Sequence, residues 1–312
     1  MNLIEVMERF PDQEACIEHL ERVRWAGTPV CPHCGCVEVK SKKENGEGRV
    51  GRWHCSACKA SFKVTQGTVF HGTKIPLQTW FMALTLILNA KKGISSYQLQ
   101  RDLSLNQKTA WFILVRIRAE MANKTSPITL QGIIEADETY LGGKPRKANK
   151  AEDREPAKRG RGTSKTAIIG AVERGGQVVA KVAKGLTGRD ILEFIRRVVN
   201  VKDSELMTDE YHAYNALSGH LKHEVINHQE QFVDGDKHTN TIEGFWSLLK
   251  RAWYGSHHHY STGYTPLYVA ERCYVYNHRH RETIFWKFIN ESMRLPSKEI
   301  VNAKEYAVFR NG

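Results

Sequence analysis

The spacing of apolar positions changes character several times along the chain. Residues 2–24 carry a short helical pattern broken at Phe10-Pro11-Asp12, where the fixed φ and missing N–H of proline end a helix. From Pro76 onward, Trp80–Leu88 is apolar at nearly every position, which predicts a core helix. Two shorter helical patterns follow, 95–103 and 107–118, separated by Ser104, Leu105 and Asn106. The second puts Ala110, Ile113, Leu114 and Ile117 on a core face and Lys108, Thr109 and Arg116 opposite, a spacing that resembles a helix-turn-helix whose second helix enters a DNA major groove. Phe112 falls on the polar side, at odds with the pattern.

Beyond Ile128 the period drops to two. Residues 133–140 read as a strand with Ile133, Glu135, Asp137 and Thr139 on one face. Residues 166–172 and 177–182 form a hairpin across Glu173–Gly176, and 188–200 an amphipathic helix. Residues 205–209 are a buried strand ending in an acid, 211–217 begin a helix, and 238–251 are a second amphipathic helix. On that last helix Glu243, Ser247 and Lys250 lie within about 60° of one another at 100° per residue, with Phe245, Leu248, Leu249 and Ala252 on the other side. A strand with an acid, two strands, a helix, a strand ending in an acid and an acid-bearing helix make the order of an RNase H-like α/β fold, a mixed sheet with flanking helices.

Charge adds a partner. Among 312 residues, 46 Lys and Arg stand against 34 Asp and Glu, a formal net charge of +12. Such an excess points to a polyanion, with nucleic acid first and an anionic membrane surface second. Nine of the basic residues fall between Lys144 and Lys165, including Lys158, Arg159 and Arg161, a basic loop placed to guide DNA just after the acidic strand. No run reaches the roughly 18 apolar residues of a membrane span, and the start MNLIEVMERF lacks the basic, apolar build of a secretion signal.

Five of the seven cysteines lie between Cys31 and Cys58, which favours metal over disulfides and a reducing, cytoplasmic setting. Cys31 and Cys34 in CPHC and Cys55 and Cys58 in CSAC, 20 residues apart, suit one tetrahedral Zn²⁺ in a zinc ribbon. Four thiolates close such a site, so the zinc is structural, and His33, Cys36 and His54 are expected to stand outside it.

Three acids from different elements remain: Asp209, Glu243, and either Glu135 or Asp137. Carboxylate oxygens suit hard Mg²⁺ or Mn²⁺, and two such ions serve phosphodiester displacement.

The motifs CPHC and CSAC, EADETYLGG (135–143), TDEY (208–211), HTNTIEGFWSLLKR (238–251), HHHYS (257–261) and YNHR (276–279) occur in this order. Over nearly its whole length the chain resembles the IS1595 (ISXO2-like) family of bacterial insertion-sequence transposases. The resemblance implies a DDE triad of Asp137, Asp209 and Glu243, choosing Asp137 over Glu135, with two Mg²⁺ or Mn²⁺ ions as cofactors. It implies cleavage at transposon ends, strand transfer of the 3′-OH into target double-stranded DNA, a homodimer or higher oligomer at the synapsed ends, no membrane role and association with the nucleoid. Lys250 lies about two turns, or roughly 10.5 Å, beyond Glu243, where it and Arg251 would meet phosphate. Some family members have Asn in place of the third acid, which draws notice to Asn240, while His238, His257 and His258 read as loop residues and His259 as a DNA contact. The expected layout is a helical lead-in over 1–28, a zinc ribbon over 29–72, a helix-turn-helix segment over 75–124, the catalytic domain over 128–290 and a tail over 291–312. A DNA-binding regulator with a non-catalytic RNase H-like domain and a stand-alone RNase H-type nuclease are the rival readings.

Overall fold

The computed structural model describes residues 1–44, 47–123, 128–143, 165–226, 238–279 and 283–294. The basic run with Lys158, Arg159 and Arg161, residues 45 and 46 and the tail beyond 294 lie outside the described residues. The chain divides into two units, Met1–Lys124 with His278–Gly312, and Thr125–Asn277. No described helix is long and apolar enough to cross a membrane.

In the first unit, α1 (Leu3–Arg9) and α2 (Gln13–Trp25) flank Pro11. Each starts on a side-chain cap, with Asn2 accepting from the Glu5 amide at 2.9 Å and Asp12 from that of Ala15 at 2.8 Å. Strands β1 (Val39–Glu44), β2 (Glu47–Cys55) and β3 (Ser61–Lys63) form an antiparallel sheet of three. It packs on α2 through Trp25, whose ring meets those of Trp53 and Phe62 edge-on. The Trp53 indole also donates to Glu21 at 2.7 Å, so ribbon and helix share polar as well as apolar contacts.

Helix α3 (Leu77–Asn89) buries Leu77, Trp80, Phe81, Ala83, Leu84, Ile87 and Leu88, as its unbroken apolar run requires. Helices α4 (Ser96–Asp102) and α5 (Gln107–Asn123) pack together across a short joint in which Ser104 takes a φ of 51°. Beyond its first turn α5 is buried almost all round. Arg116, expected on the exposed face, is instead one of the buried residues. Its guanidinium donates to the carbonyls of His71 (2.7 Å) and Thr68 (3.4 Å) and lies over Trp80 and Phe112. A cation spent on carbonyls and rings is not available to phosphate. The same packing explains Phe112, which meets Trp80 edge-on at 6.2 Å. Lys108, in the first turn, is exposed as expected. Helix α9 (Ile284–Met293) starts within the span expected to be catalytic and ends in the expected tail, and it packs on α2 and α3 of this unit, with Phe285 on Phe81 and Trp286 on His19.

The second unit is a five-stranded mixed sheet. Its strands are β4 (Leu130–Leu141), β5 (Thr166–Glu173), β6 (Val178–Val182), β7 (Val199–Thr208) and β8 (Lys222–Val225). The spatial order is β6-β5-β4-β7-β8: the first three are antiparallel neighbours, while β7 runs parallel to β4 and β8 to β7. Helix α6 (Gly188–Val198) makes the crossover to β7, opened by a capping box of Thr187 and Asp190. Alternation along β4 splits the core in two. Leu130, Ile134 and Ala136 face Ile191, Phe194 and Ile195 of α6 together with Tyr214 and Leu217 from a 3₁₀ turn at His212–Leu217. Leu141, with Ile168 and Val172 of β5, joins the opposite core. There lie α7 (Asn240–Arg251), the π-helical turn Ala252–His257 that prolongs it, and α8 (Thr265–Asn277). The Asn277 amide exchanges hydrogen bonds with both backbone groups of Val178 (2.7 and 2.9 Å), pinning α8 to β6.

Candidate active site

In the second unit, parallel pairing brings the carboxyl ends of β4 and β7 side by side, so that Asp137 on β4 and Asp209, one residue past β7, converge. Each of Asp137, Glu138 and Asp209 offers a carboxylate oxygen within 4.8 Å of the others. Glu138 was not expected. Alternation sends it to the face opposite Asp137, but the pairing of β4 with β7 stops at Glu135, and beyond that point both acids come within reach of Asp209. The adjacency of Glu138 to Asp137 was the single signal in the sequence.

Each acid is held. The Trp246 indole donates to Asp137 Oδ2 at 3.0 Å, the Tyr211 amide to Asp209 Oδ1 at 3.1 Å, and the Tyr214 hydroxyl to Glu138 Oε2 at 3.2 Å. Burial, and after it Glu138, pushes the Tyr214 phenol well above its ordinary range, so it remains a donor. Burial is also the first cause that raises Asp137, to about 7, followed by the like charges of Glu138 and Asp209. The indole reaches Asp137 because Gly170 is the residue paired with Asp137 on β5. A Cβ there would stand 2.6 Å from Trp246 Cη2.

Glu243 lies outside the three-carboxylate cluster and is exposed in the first turn of α7. Its link with Asp137 is a cleft of ≈ 520 Å³ that both line with Glu138, Trp246, Lys250 and Arg251. The Thr239 hydroxyl donates to Glu243 Oε1 at 3.2 Å. Asn240 is exposed at the start of the same helix. Glu135, the other acid of β4, is fully buried and accepts from the Thr241 amide (2.7 Å), the Ile242 amide (3.0 Å), the Thr241 hydroxyl (2.9 Å) and Arg174 Nε (2.6 Å). His238 Nδ1 stands 3.3 Å from it, so His238 belongs to this anchor. Of the histidine run, His257 packs on Tyr268 and His259 on Trp253, while His258 takes a left-handed φ of 55°.

Oxygen donors crowded enough to raise one of their own number suit a hard divalent cation, which takes several carboxylate oxygens at once. The first unit holds a different donor set. The sulfurs of Cys31 and Cys58 are 3.7 Å apart, those of Cys34 and Cys55 3.6 Å, and all four lie within 4.8 Å. Tetrahedral Zn–S bonds of about 2.3 Å require S···S edges of about 3.8 Å, so the four sulfurs fit the ion. Backbone N–H groups, that of Cys58 foremost, hold Cys55 down to about 6, which favours the thiolate a metal needs. Cys36 instead accepts from the Glu38 amide (3.3 Å), His33 meets Gln66 (3.1 Å) and His54 meets Ser61 (3.5 Å).

Two family models match the chain: the ISXO2-like transposase domain over residues 129–277 and the transposase zinc-ribbon domain over residues 11–61. A relative from Halobacterium salinarum, described as an uncharacterized protein in transposable element ISH50, is 28% identical over 266 residues, covering 80% of this chain and 86% of its own. Among solved structures, the Mos1 strand transfer complex aligns over 68% of this chain and 74% of that one at 14% identity and a TM-score of 0.30. The pre-cleavage Mos1 transpososome aligns over 72% and 76% at 12% identity and 0.27, and at such scores neither likeness bears on fold or function. The two matched domains in this order, and the ISH50 relative aligned over 80% of the chain, place it in the IS1595 (ISXO2-like) family of transposases.

Proposed function

We propose that the chain is a DNA transposase that cleaves transposon ends and transfers the freed 3′-OH into target double-stranded DNA. The observation that carries this reading is the convergence of Asp137 and Asp209 from adjacent parallel strands beside a cleft that also holds Glu243 and two cations, Lys250 and Arg251. The strand order, with three antiparallel neighbours followed by two parallel ones and helices on both faces, supports an RNase H-like core. Helices α4 and α5 support a helix-turn-helix whose exposed first turn carries Lys108. One Zn²⁺ held by Cys31, Cys34, Cys55 and Cys58 would fold the ribbon.

Asp137, Asp209 and Glu243 would hold two Mg²⁺ or Mn²⁺ ions, which when bound supply charge stabilisation at the attacking and leaving oxygens. The residues themselves position. Trp246 fixes one oxygen of Asp137 and leaves the other for the cluster, while Lys250 and Arg251 take phosphates along the cleft. Water attacks the phosphorus at the transposon end, the bond to the 3′ oxygen breaks, and that oxygen gains a proton. In the second step the 3′-OH loses its proton and attacks a target phosphate in line, with one P–O bond formed and one broken. No covalent enzyme intermediate arises. Two copies synapsing two ends, in the cytoplasm at the nucleoid, complete the reading. Residues 29–72 and 75–124 would bind the ends and 128–277 carry out the chemistry.

The test is a Mn²⁺-dependent assay on oligonucleotides bearing the element's inverted repeats. Cleavage followed by joining supports the reading, cleavage alone points to a nuclease, and binding alone to a regulator. Asp137→Asn is expected to abolish both steps, to keep DNA binding, and to leave no DNA–protein adduct on denaturing gels.

A further inference from the structure

Glu135 is a buried acid that the mechanism does not use. Helix α7 has no side-chain cap from its own N-cap residue: the Thr239 hydroxyl donates to the Glu243 carboxylate, while the Thr239 carbonyl accepts from the Glu243 amide. The open amides at that end are taken by Glu135, from a different element, through the Thr241 and Ile242 N–H groups. Arg174 offsets the buried charge and, through Nη2, also donates to the His238 carbonyl at 2.7 Å, which ties in the residue before the cap. One turn further on, Trp246 reaches Asp137. Helix α7 is thus fastened to β4 at two points, Glu135 and Asp137, which are two residues apart on one face, and Glu243 lies between the two fastenings.

A Ser or Thr at the N-cap would satisfy the amides of an isolated helix. It would not fix where that helix sits against a strand. A carboxylate on the strand that bears Asp137 does both, and the partial positive charge of the helix terminus strengthens the hold. We infer that Glu135 is a positioning residue of the transposase site: by anchoring the first turn of α7 to β4 it sets the place of Glu243 relative to Asp137. The inference rests on the proposed role of Glu243 in holding metal.

The experiment measures Mn²⁺ binding directly, by the paramagnetic resonance of free Mn²⁺ and by calorimetry, on the full-length protein. The variants are Glu135→Gln, Glu243→Gln and the double substitution, with circular dichroism and inverted-repeat binding as checks of fold. Glu135→Gln is expected to weaken Mn²⁺ binding about tenfold, the usual cost of losing a residue that orients a ligand. The double substitution is expected to be no weaker than Glu243→Gln alone, because one residue acts through the other. The inference is overturned if Glu135→Gln binds Mn²⁺ like the parent, or if the two losses multiply. A parental affinity in Glu243→Gln would instead bring down the reading of the site, and the anchor with it. Should Glu135→Gln fail to fold, Glu135→Leu combined with Arg174→Met removes the buried pair together and enters the same cycle.

Discussion

Asp137 must become charged where water is scarce and two other acids are near, and its elevation to about 7 makes stability depend on pH. A carboxyl raised in the folded state contributes fully below its unfolded value of 3.8, and the contribution is lost as pH rises through about 7. In metal-free protein, Asp137→Asn should therefore match the parent in melting temperature near pH 4 and surpass it above pH 7, with the gap opening in between. Added Mn²⁺ should close the gap by stabilising the parent alone; scanning calorimetry of both proteins across that range checks the claim. Asp209 was legible in the sequence as an acid that ends an apolar strand, whereas Asp137 was chosen over Glu135 only by the family resemblance. Glu138 was not legible, since strict alternation assigns it to the far face. Arg116 was misread for a related reason. A cation on a helix is expected in water unless its carbonyl partners are known, and those partners, Thr68 and His71, lie more than forty residues away.

Elements show the same division between local and distant causes. Proline, caps and apolar periodicity placed α1 to α7 and the strands β4 to β7 near their observed positions. Strand β8 escaped because Lys-His-Glu-Val has no apolar alternation and pairs only at the sheet edge. Helix α9 has an ordinary amphipathic pattern, and nothing local tells which unit buries it. Three predictions belong to this scale. Arg116→Gln should lower stability by roughly 2 kcal/mol, the worth of hydrogen bonds from a buried charged donor, without altering the salt dependence of DNA binding. Lys108→Gln should leave the melting temperature alone and reduce the slope of log affinity against log salt by about 1. Thermal melts and binding isotherms at several salt concentrations separate the pair. Gly170→Ala tests the seat of the indole. Its Cβ would meet Trp246 at 2.6 Å, so overpacking should cost about 1–3 kcal/mol and break the bond to Asp137. Cleavage should then fall at least tenfold with end binding intact, as gel assays on one oligonucleotide would show.

For the molecule as a whole, the two units carry separate donor sets, four sulfurs in one and clustered carboxylates in the other. Cys58→Ser should abolish bound zinc, read by elemental analysis, and inverted-repeat binding. Its Mn²⁺ stoichiometry should equal that of the parent. The sulfur set was legible in the sequence, because five of the seven cysteines fall between Cys31 and Cys58. The position of β4 at the centre of the sheet has a further consequence, for folding fidelity. A slip of one residue against β5 would turn every side chain of β4 over. Glu135 and Asp137 would enter the apolar layer of Phe194, Ile195 and Leu206, and Glu138 would lie beneath α7. Each would be a buried charge without a partner, at a cost of several kcal/mol. A one-residue slip is therefore not tolerated, and in the native alignment Glu135 and Asp137 already face α7. Compact chains with a displaced β4 should not accumulate, and the residues of the chemistry act as the proofreaders of the sheet that holds them.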